Sequence, residues 1–239
     1  MSAFTFTGCT GARALTRGMA DPIIIAVPKG RALTALVPIF DRMNLKPDPA
    51  FEDPDSRLLR FATNRHGIEV IRIREFDVAT FVAHGAAQVG IVSSDVLMEF
   101  GFSEIYAPID LGIARGRVCV IAPSGPNVVV DNPELGHLRV ATKYPNLTRK
   151  HFAARGIQAE CVELNGALEI APVLGLANTL VDLVASGRTL RAHGLTDIET
   201  ILDVSTRLIV NRTMFKRHHG VIASLIEEFR QAAEGVHAV

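Results

Sequence analysis

The sequence has few cysteines and no excess of either charge. Its three cysteines, Cys9, Cys119 and Cys161, are odd in number and lack the spacing of metal ligands, which favours a reducing compartment over a disulfide framework. The 25 basic residues are balanced by 25 acidic ones, so no overall field attracts a nucleic acid or an anionic membrane. A small anion can still be bound locally. We therefore predict a cytoplasmic protein that binds neither nucleic acid nor membrane.

Long apolar runs are also missing. No window approaches the roughly 20 apolar residues that a membrane span needs, although 48% of the residues are hydrophobic, which is ample for a core. Residues 1–20 contain two arginines and no acid, and their apolar run is too broken for a secretory signal. We interpret residues 1–21 as an N-terminal extension, with a start at Met19 or a targeting peptide as alternatives.

Motifs of covalent and metal catalysis are missing as well. The eight histidines show no H-E-x-x-H or other ligand spacing. There is no G-x-S-x-G elbow and no convincing Ser-His-Asp or Cys-His arrangement. We therefore predict that the side chains of the protein do not form a metal site on their own. We also predict that no side chain acts as a catalytic nucleophile.

Short β-branched runs alternate with helical stretches along the chain. Residues 23–31, IIIAVPKGR, predict a strand and a basic turn, and residues 32–43 predict a helix. Residues 88–101 pass from a strand through Ser-Ser-Asp into another helix, residues 201–211 are strand-like, and residues 219–234 predict an amphipathic final helix. This alternation indicates an α/β protein with largely parallel sheets.

Residues 181–190, VDLVASGRTL, place an acid shortly before small hydroxyl residues and a glycine. A tight turn that opens a helix offers unpaired backbone N–H groups, which bind phosphate. Gly187 allows close approach, and Ser186 and Thr189 add hydroxyl donors. Asp182 can accept hydrogen bonds from a ribose diol or hold Mg²⁺ through water. The alternative interpretation is a plain Ser-Gly turn followed by a helix cap.

Polar residues follow three other predicted strands. Lys29 and Arg31 flank a glycine at a strand end, where α/β sheets place their ligands. Two cations there suit a polyphosphate, and a solvated basic turn is the alternative. Ser93 and Asp95 belong to a loop that either contacts a nucleotide or caps a helix. Lys143 is either a ligand-binding residue or simply exposed.

The VDLVASGRTL stretch resembles the loop that binds phosphoribosyl pyrophosphate (PRPP) in phosphoribosyltransferases. Further segments narrow the resemblance by their order: AVPKGRALTALVPIF, FDVATFVAHGAAQVGIVSSDVLMEFG, LRVATKYPNLTRKHFAARGI, LNGALEIAPVLGLANTLVDLVASGRTLRAHGL and STRLIVNR. Together, over residues 23–235, they resemble ATP phosphoribosyltransferase, the first enzyme of histidine biosynthesis. The sequence departs from the family pattern at Asn178, where an aspartate is usual, and at residues 110–116, DLGIARG in place of DLGFG.

The resemblance implies the fold of type II periplasmic binding proteins, with two α/β lobes and a central cleft that holds the ligands. On this basis we expect lobe I to comprise residues 22–110 plus 193–235. Lobe II is then residues 111–192 and carries the PRPP loop.

The resemblance also implies the reaction. N1 of the ATP adenine attacks C1 of the PRPP ribose, which gives N1-(5-phosphoribosyl)-ATP and pyrophosphate through an oxocarbenium-like transition state. The implied cofactor is Mg²⁺ bound by the substrates. The catalytic residues are then Arg31, Arg57 and Asp182. The PRPP-binding residues are Asp182, Ser186, Gly187, Arg188 and Thr189. The ATP-binding residues are Lys29, Arg31, Arg57, Ser93, Asp95 and Lys143.

The length of the chain favours the short form of the family. Long forms carry an additional regulatory domain of roughly 75 residues, and little sequence follows residues 219–234. The resemblance implies that short forms are homodimers within a hetero-octamer, together with a regulatory subunit that resembles histidyl-tRNA synthetase. Two rival functions are a solute-binding protein, which needs a secretion signal, and a salvage phosphoribosyltransferase, which lacks the segments around Lys29 and Lys143.

Overall fold

The computed structural model describes residues 21–53, 55–125 and 138–237. Its strands are β1 (Ile23–Pro28), β2 (Arg60–Ala62), β3 (Ile68–Ile73), β4 (Val89–Ser93), β5 (Ile105–Asp110), β6 (Gly116–Pro123), β7 (Leu138–Thr142), β8 (Ala159–Glu163), β9 (Thr179–Val184), β10 (Leu195–Val204) and β11 (Thr206–Asn211). Its α-helices are α1 (Arg31–Arg42), α2 (Glu75–Ala83), α3 (Ser94–Phe100), α4 (Pro145–Ala153), α5 (Arg188–Ala192), α6 (Arg212–Arg217) and α7 (His219–His237). Except for Asp21, the predicted N-terminal extension lies outside the described residues.

The described strands form two sheets. The first has the order β2-β3-β1-β4-β11-β5, and the second has the order β10-β6-β9-β7-β8. β1 is parallel to β3 and β4, and β7 is parallel to β8 and β9. The other pairings, β10 with β6, β11 with β4 and β5, β2 with β3, and β6 with β9, are antiparallel. The two-sheet α/β architecture is confirmed, but the prediction of largely parallel sheets is wrong.

The antiparallel pairings have a topological cause. A parallel pair needs a long crossover connection, usually a helix, between its strands. β6 and β11 each follow the preceding strand without a helix between them. Each of these two strands begins where the chain passes from one sheet to the other. Each is antiparallel to both of its neighbours.

Helices cover both faces of the first sheet and pack against the second. α1 and α7 share one core with the first sheet, which includes Leu36 and Phe229, and α2 contributes Val78 to the core on the opposite face. In the second sheet, Phe152 of α4 and Leu190 of α5 belong to separate cores. Burial of these apolar faces provides the main stabilisation of each lobe.

The chain crosses between the sheets through residues 111–115 and again at Ser205. Both crossings are hydrogen-bonded to lobe I, Ser205 to Ser94 and the first crossing to the start of β11. Leu111 N–H donates to the carbonyl of Thr206 (2.9 Å), and Thr206 N–H donates to the carbonyl of Ile113 (3.1 Å). The predicted return to lobe I at residue 193 is corrected, because β10 pairs with β6 in the second sheet. The strand-like stretch 201–211 is in fact two strands separated by Ser205.

Candidate active site

A cavity of about 290 Å³ lies between the two sheets. β1 and β4 end at this cavity, β11 begins at it, and the end of β9 with its following turn contributes from the other sheet. The lining residues are Lys29, Arg31, Ala32, Glu75, Ser93, Ala114, Leu183, Ala185 and Thr206. A ligand bound here contacts both lobes.

The basic turn after β1 supplies two cations to the cavity. Gly30 has φ 84° and ψ −144°, a conformation that is accessible almost only to glycine. The Lys29 N–H donates to the carbonyl of Ile73 at 3.0 Å, which fixes the start of the turn against β3. Arg31 Nη2 donates to the carbonyl of Ala114 at 3.1 Å. Arg31 therefore reaches from lobe I to the first crossing segment.

Two buried hydroxyl groups lie side by side on the cavity wall. Ser93, at the end of β4, is directly opposite Thr206, at the start of β11. The two residues are 5% and 1% exposed, and neither hydroxyl has a hydrogen-bond partner among the described residues. Ser93 occupies the N-cap position of α3 but makes no side-chain cap bond, so the capping alternative is not supported. A buried hydroxyl without a partner costs about 1–3 kcal/mol, which suits a wall that a ligand completes.

Glu75 adds a carboxylate to the same wall. It is the first residue of α2, and its Oε1 accepts the N–H of Ser93 at 3.3 Å. The carboxylate is stabilised by the first turn of its own helix. It gives the cavity a hydrogen-bond acceptor next to Ser93.

The turn after β9 has the free amides that phosphate binding requires. Gly187 has φ 66° and precedes α5. The backbone N–H groups of residues 186–189 donate no hydrogen bond within the part of the chain that the structure describes. Arg191 Nη2 donates to the carbonyl of Ser186 at 3.2 Å. This side chain therefore stabilises the turn through a carbonyl group and leaves the backbone N–H groups of the turn unpaired. The turn therefore keeps several donors available for an anion.

Asp182 lies on β9, three residues before the turn, and is paired with Lys143. Lys143 Nζ is 3.1 Å from Asp182 Oδ1, and the same oxygen accepts the N–H of Leu183 at 2.7 Å. In the described residues, Oδ2 makes no hydrogen bond and remains available as an acceptor. Asp182 and Leu183 point to opposite faces of the sheet, and Leu183 faces the cavity.

Asp95 is buried and does not line the cavity. It is 1% exposed, and its Oδ2 accepts a hydrogen bond from the Tyr144 hydroxyl at 2.5 Å. Burial, and then the neighbouring Asp95 carboxylate, raise the pKa of Tyr144 far above its usual range. Tyr144 therefore keeps its proton and remains the donor in this bond.

Arg57 is exposed and lies between the 3-10 turn Pro49–Phe51 and β2, outside the cavity lining. The segment that carries it is anchored by the buried Arg72, whose guanidinium donates to the carbonyls of Phe51, Asp53 and Ser56. Of the predicted site residues, the structure brings Lys29, Arg31 and Ser93 to the cavity, where Ala185 at the start of the turn after β9 also lies. The other predicted residues of lobe II follow or precede this lining in the chain and do not line the cavity: Lys143, Asp182, Ser186, Gly187, Arg188 and Thr189. The structure also does not bring Arg57 or Asp95 to the cavity.

The comparisons with known proteins identify the family of the chain. A family model described as HisG, ATP phosphoribosyltransferase, matches residues 74–231. An ATP phosphoribosyltransferase from Rhizorhabdus wittichii is 61% identical over 220 residues, which cover 92% of this chain and 100% of that protein. One from Rhodospirillum rubrum is 51% identical over 222 residues, which cover 93% and 98%. The chain belongs to the ATP phosphoribosyltransferase family.

Solved structures support the same assignment. The ATP phosphoribosyl transferase (HisG:HisZ) complex from Thermotoga maritima matches with a TM-score of 0.74 at 26% identity, covering 89% of this chain and 99% of that chain. The periplasmic aliphatic sulphonate binding protein SsuA from Escherichia coli matches with a TM-score of 0.55 at 10% identity, covering 92% and 75%, and shows a likeness of fold alone. The predicted family and the predicted periplasmic-binding-protein-like fold are confirmed.

Two polar residues that line the cavity, Glu75 and Thr206, were not predicted from the sequence. Glu75 follows the end of β3, and Thr206 opens the apolar run of β11. A polar residue directly at the end of a predicted strand, the signal that identified Lys29 and Ser93, was also available for Glu75. Thr206 was obscured because residues 201–211 read as one continuous strand.

The pKa of Tyr144 leads to a prediction for alkaline pH. The Tyr106→Phe variant retains Tyr144 as its only tyrosine, and we expect it to show no tyrosinate absorbance while it stays folded. Because the folded pKa is raised, the stabilisation is complete below the unfolded pKa of about 10 and decreases as the pH rises above it. Ultraviolet absorbance and circular dichroism, followed together against pH, measure this. Tyrosinate absorbance from a chain with native circular dichroism would contradict it.

Proposed function

We propose that the chain transfers the phosphoribosyl group of PRPP to N1 of ATP and releases pyrophosphate, the first step of histidine biosynthesis. Membership of the family supports this reaction. The observation that carries it is the cavity in which Lys29 and Arg31 of one lobe meet Leu183 and Ala185 of the other, directly before the turn with the unpaired amides. Such a site can hold two phosphorylated substrates against each other.

We propose that PRPP binds on the lobe II side. The free N–H groups of residues 186–189 and the hydroxyls of Ser186 and Thr189 would hold the 5-phosphate. Asp182 Oδ2 would accept hydrogen bonds from the ribose hydroxyls. Lys143, paired with Asp182, would keep this carboxylate ionised and oriented, which is a more specific role than the direct ATP contact expected from sequence.

On the lobe I side, Lys29 and Arg31 would neutralise the triphosphate of ATP and the departing pyrophosphate. Arginine can bind phosphate oxygens through two parallel hydrogen bonds. The free hydroxyls of Ser93 and Thr206 and the carboxylate of Glu75 would contact the rest of the nucleotide. Arg57 remains a candidate on the family resemblance alone.

This arrangement favours catalysis by positioning and charge stabilisation. The transition state carries positive charge on the ribose, near Asp182, and negative charge on pyrophosphate, near Lys29 and Arg31. Fixed charges that complement both ends lower the barrier without reorganisation. Holding adenine N1 in line with C1 of the ribose supplies a further large part of the rate enhancement. No side chain needs to form a covalent intermediate.

Among the described residues, no three histidine, cysteine, aspartate or glutamate side chains are grouped so that they can hold a metal ion. Carboxylates do lie near the proposed ligands, as Glu75 and Asp182, and carboxylate oxygens suit Mg²⁺. This donor set fits a magnesium ion held mainly by phosphate oxygens of the substrates. When bound there, Mg²⁺ supplies neutralisation of the pyrophosphate charge.

We further propose that the chain is a short-form catalytic subunit. The solved relative from Thermotoga maritima is a HisG:HisZ complex, and this chain aligns with 99% of its matching subunit. A homodimer within a hetero-octamer, with a regulatory subunit resembling histidyl-tRNA synthetase, is the assembly that we expect. No helix among residues 21–53, 55–125 and 138–237 has the length and hydropathy of a membrane span, and a cytoplasmic location remains part of the proposal.

The proposed function is tested by incubating the chain with PRPP, Mg²⁺ and ATP, with and without the synthetase-like subunit. Formation of N1-(5-phosphoribosyl)-ATP and equimolar pyrophosphate, followed by mass spectrometry, supports it. Parallel incubations replace ATP with free purine and pyrimidine bases. Products only from free bases indicate a salvage enzyme, and binding without turnover in every incubation indicates a ligand trap.

Thr206→Val is expected to raise the KM for ATP about fivefold, which corresponds to the loss of one neutral hydrogen bond. The same variant should be slightly more stable to urea, because it removes a buried hydroxyl that has no partner in the described residues and preserves the shape of the side chain. These opposite effects on ATP binding and on stability are expected of a hydroxyl whose hydrogen-bond partner is the ligand. Initial rates and urea unfolding measure the two.

Thr148→Val provides the matched control. Thr148 is also fully buried, but its hydroxyl donates to Thr142 Oγ1 at 3.3 Å. This variant is expected to lose stability, by about 1 kcal/mol, and to keep the KM for ATP. An unchanged KM in both variants means that Thr206 does not contact the nucleotide.

A further inference from the structure

Two helices from different lobes are joined beside the cleft. α4 begins after Tyr144, which makes no side-chain cap bond for its own helix. Glu99 of α3 supplies the cap instead, because its two carboxylate oxygens accept the N–H groups of Asn146 and Leu147, each at 2.9 Å. Asn146 Nδ2 returns a bond to the carbonyl of Glu99 at 3.2 Å. The first turn of a lobe II helix is therefore satisfied by a lobe I side chain.

A second bond between the lobes lies one turn away on the same two helices. The hydroxyl of Tyr144, which is fully buried, donates to Asp95 Oδ2. Tyr144 is the only donor to this carboxylate among the described residues, and the other oxygen, Oδ1, has none. The Phe76 ring packs on Tyr144, with centroids 5.8 Å apart, and shields the bond from water. We call Asp95, Glu99 and Tyr144 the α3–α4 latch.

The latch is connected directly to the predicted ribose-binding carboxylate. Lys143 precedes Tyr144, and its Nζ lies 5.0 Å from the centre of the Tyr144 ring and 3.1 Å from Asp182 Oδ1. Thr142 Oγ1 accepts the N–H of Tyr144 (2.9 Å) and donates to the carbonyl of Val181 (2.8 Å). Residues 142–144 are thus connected to β9 through Thr142 and Lys143. They are connected to lobe I through the hydrogen bond from Tyr144 to Asp95.

We propose that the α3–α4 latch is a positioning device, in which Asp95, Glu99 and Tyr144 hold the Asp182–Lys143 pair at a fixed distance from the nucleotide side of the cleft. This inference rests on the proposed function. It assigns Asp95 a role through Tyr144 in place of the direct ATP contact expected from sequence. Asp95 and Tyr144 are both buried and neither lines the cavity, so both act on the substrates only through other residues.

The physical reason is that each substrate is held mainly by its own lobe. PRPP can reach the turn at residues 186–189 and Asp182 whether or not the latch is closed. Attack of N1 on C1 needs both lobes in register, and a displacement of about 1 Å lowers such a rate on the order of 100-fold. Loss of the latch is therefore expected to reduce kcat and to leave the affinity for PRPP alone nearly unchanged.

The decisive variant is Tyr144→Phe, which retains the ring and removes the hydroxyl. We expect kcat to fall about tenfold or more, and the Kd for PRPP, measured calorimetrically without ATP, to stay within about twofold. Tyr106→Phe is the matched control, because Tyr106 is the other tyrosine and is 42% exposed. It should keep both values. A kcat for Tyr144→Phe equal to that of Tyr106→Phe overturns the proposal.

Asp95→Asn separates the latch from direct ATP binding, because its amide oxygen can still accept from Tyr144. If the latch operates as proposed, Asp95→Asn lowers kcat less than Tyr144→Phe does. The double variant then lowers kcat by a smaller factor than the product of the two single factors. A raised KM for ATP in Asp95→Asn, together with full activity of Tyr144→Phe, would show that Asp95 binds the nucleotide directly. That result would refute the proposed positioning role of the latch.

Glu99→Gln is the second variant in case Tyr144→Phe does not fold, since it retains the shape and only one acceptor oxygen. It should also lower kcat with unchanged PRPP affinity, and the amides of Asn146 and Leu147 should exchange with deuterium faster. Slow exchange with normal kcat contradicts the proposal. A wild-type chain that transfers no phosphoribosyl group, even with its regulatory subunit, refutes the proposed function, whereas a fully active latch variant refutes the latch alone.

Discussion

Asp182→Ala is expected to lower kcat about 100-fold while the chain stays folded. The free Oδ2 of Asp182 is the acceptor that we assign to the ribose hydroxyls, and hydrogen bonds to a charged group contribute about 1.5–3 kcal/mol. In the proposed site, the carboxylate would also stabilise the positive charge that develops on the ribose in the transition state. Its removal additionally leaves Lys143 without its partner, 3.1 Å away, so a cation is placed next to the reacting sugar. Steady-state rates and the Kd for PRPP measure the effect.

Asp197→Ala is the control for this prediction. Asp197 also lies in the second sheet and pairs with a cation, Arg117, at 3.0 Å, in a more exposed position than Asp182. Partly exposed pairs of this kind contribute little to stability, so the control should keep its kcat and its unfolding midpoint. Near-normal turnover of Asp182→Ala would show that Asp182 takes no part in the reaction. The turn at residues 186–189 would then be interpreted as a structural turn.

The parts of the site that could be predicted from sequence are those formed within one short segment. The turn at Lys29 to Arg31 and the turn at Gly187 each follow a β-branched run and open a helix, and local φ preferences determine their shape. Both glycines do adopt positive φ, 84° at Gly30 and 66° at Gly187. The chemistry of these turns follows from residues that are adjacent in sequence.

The parts that could not be predicted depend on which strand ends meet. Ser93 and Thr206 face each other only because β11 returns antiparallel beside β4, and nothing local to either segment specifies that pairing. The same holds for Tyr144 and Asp95, which are 49 residues apart. Ser205 was hidden within a strand-like run because a change of sheet requires no change of hydrophobic period. The lobe boundary was misplaced for this reason.

The location of Arg57 illustrates a different limit. The family resemblance implied a catalytic role, but the turn-forming residues before it, Asp-Pro-Asp-Ser, do not determine which part of the fold Arg57 approaches. In the structure, the segment from Phe51 to Ser56 is held by Arg72 through backbone carbonyls, and Arg57 itself projects to solvent. Its role depends on the ligand and not on contacts that the chain makes by itself.

Arg31→Ala is the other substitution expected to have a large effect, with a loss of about 100-fold in kcat. Preorganised donors aimed at developing charge typically contribute 10²–10³ in rate, and Arg31 is the cavity cation that also spans the lobes through the carbonyl of Ala114. Because the pyrophosphate charge increases during the reaction, the loss should fall on kcat more than on the KM for ATP. Arg31→Lys keeps the charge without the paired donors and should recover only part of the rate.

Arg115→Ala is the matched control for Arg31→Ala, since Arg115 is an exposed arginine next to Ala114 whose Nε donates only to the carbonyl of Gly112 among the described residues. It should retain full activity. The comparison separates two physical explanations for Arg31. If Arg31 acts only by tying lobe I to the crossing at Ala114, Arg31→Lys and Arg31→Ala are equally impaired and PRPP affinity is unchanged. If Arg31 stabilises the leaving pyrophosphate, Arg31→Lys is the more active of the two, and product inhibition by pyrophosphate weakens in the order wild type, Arg31→Lys, Arg31→Ala.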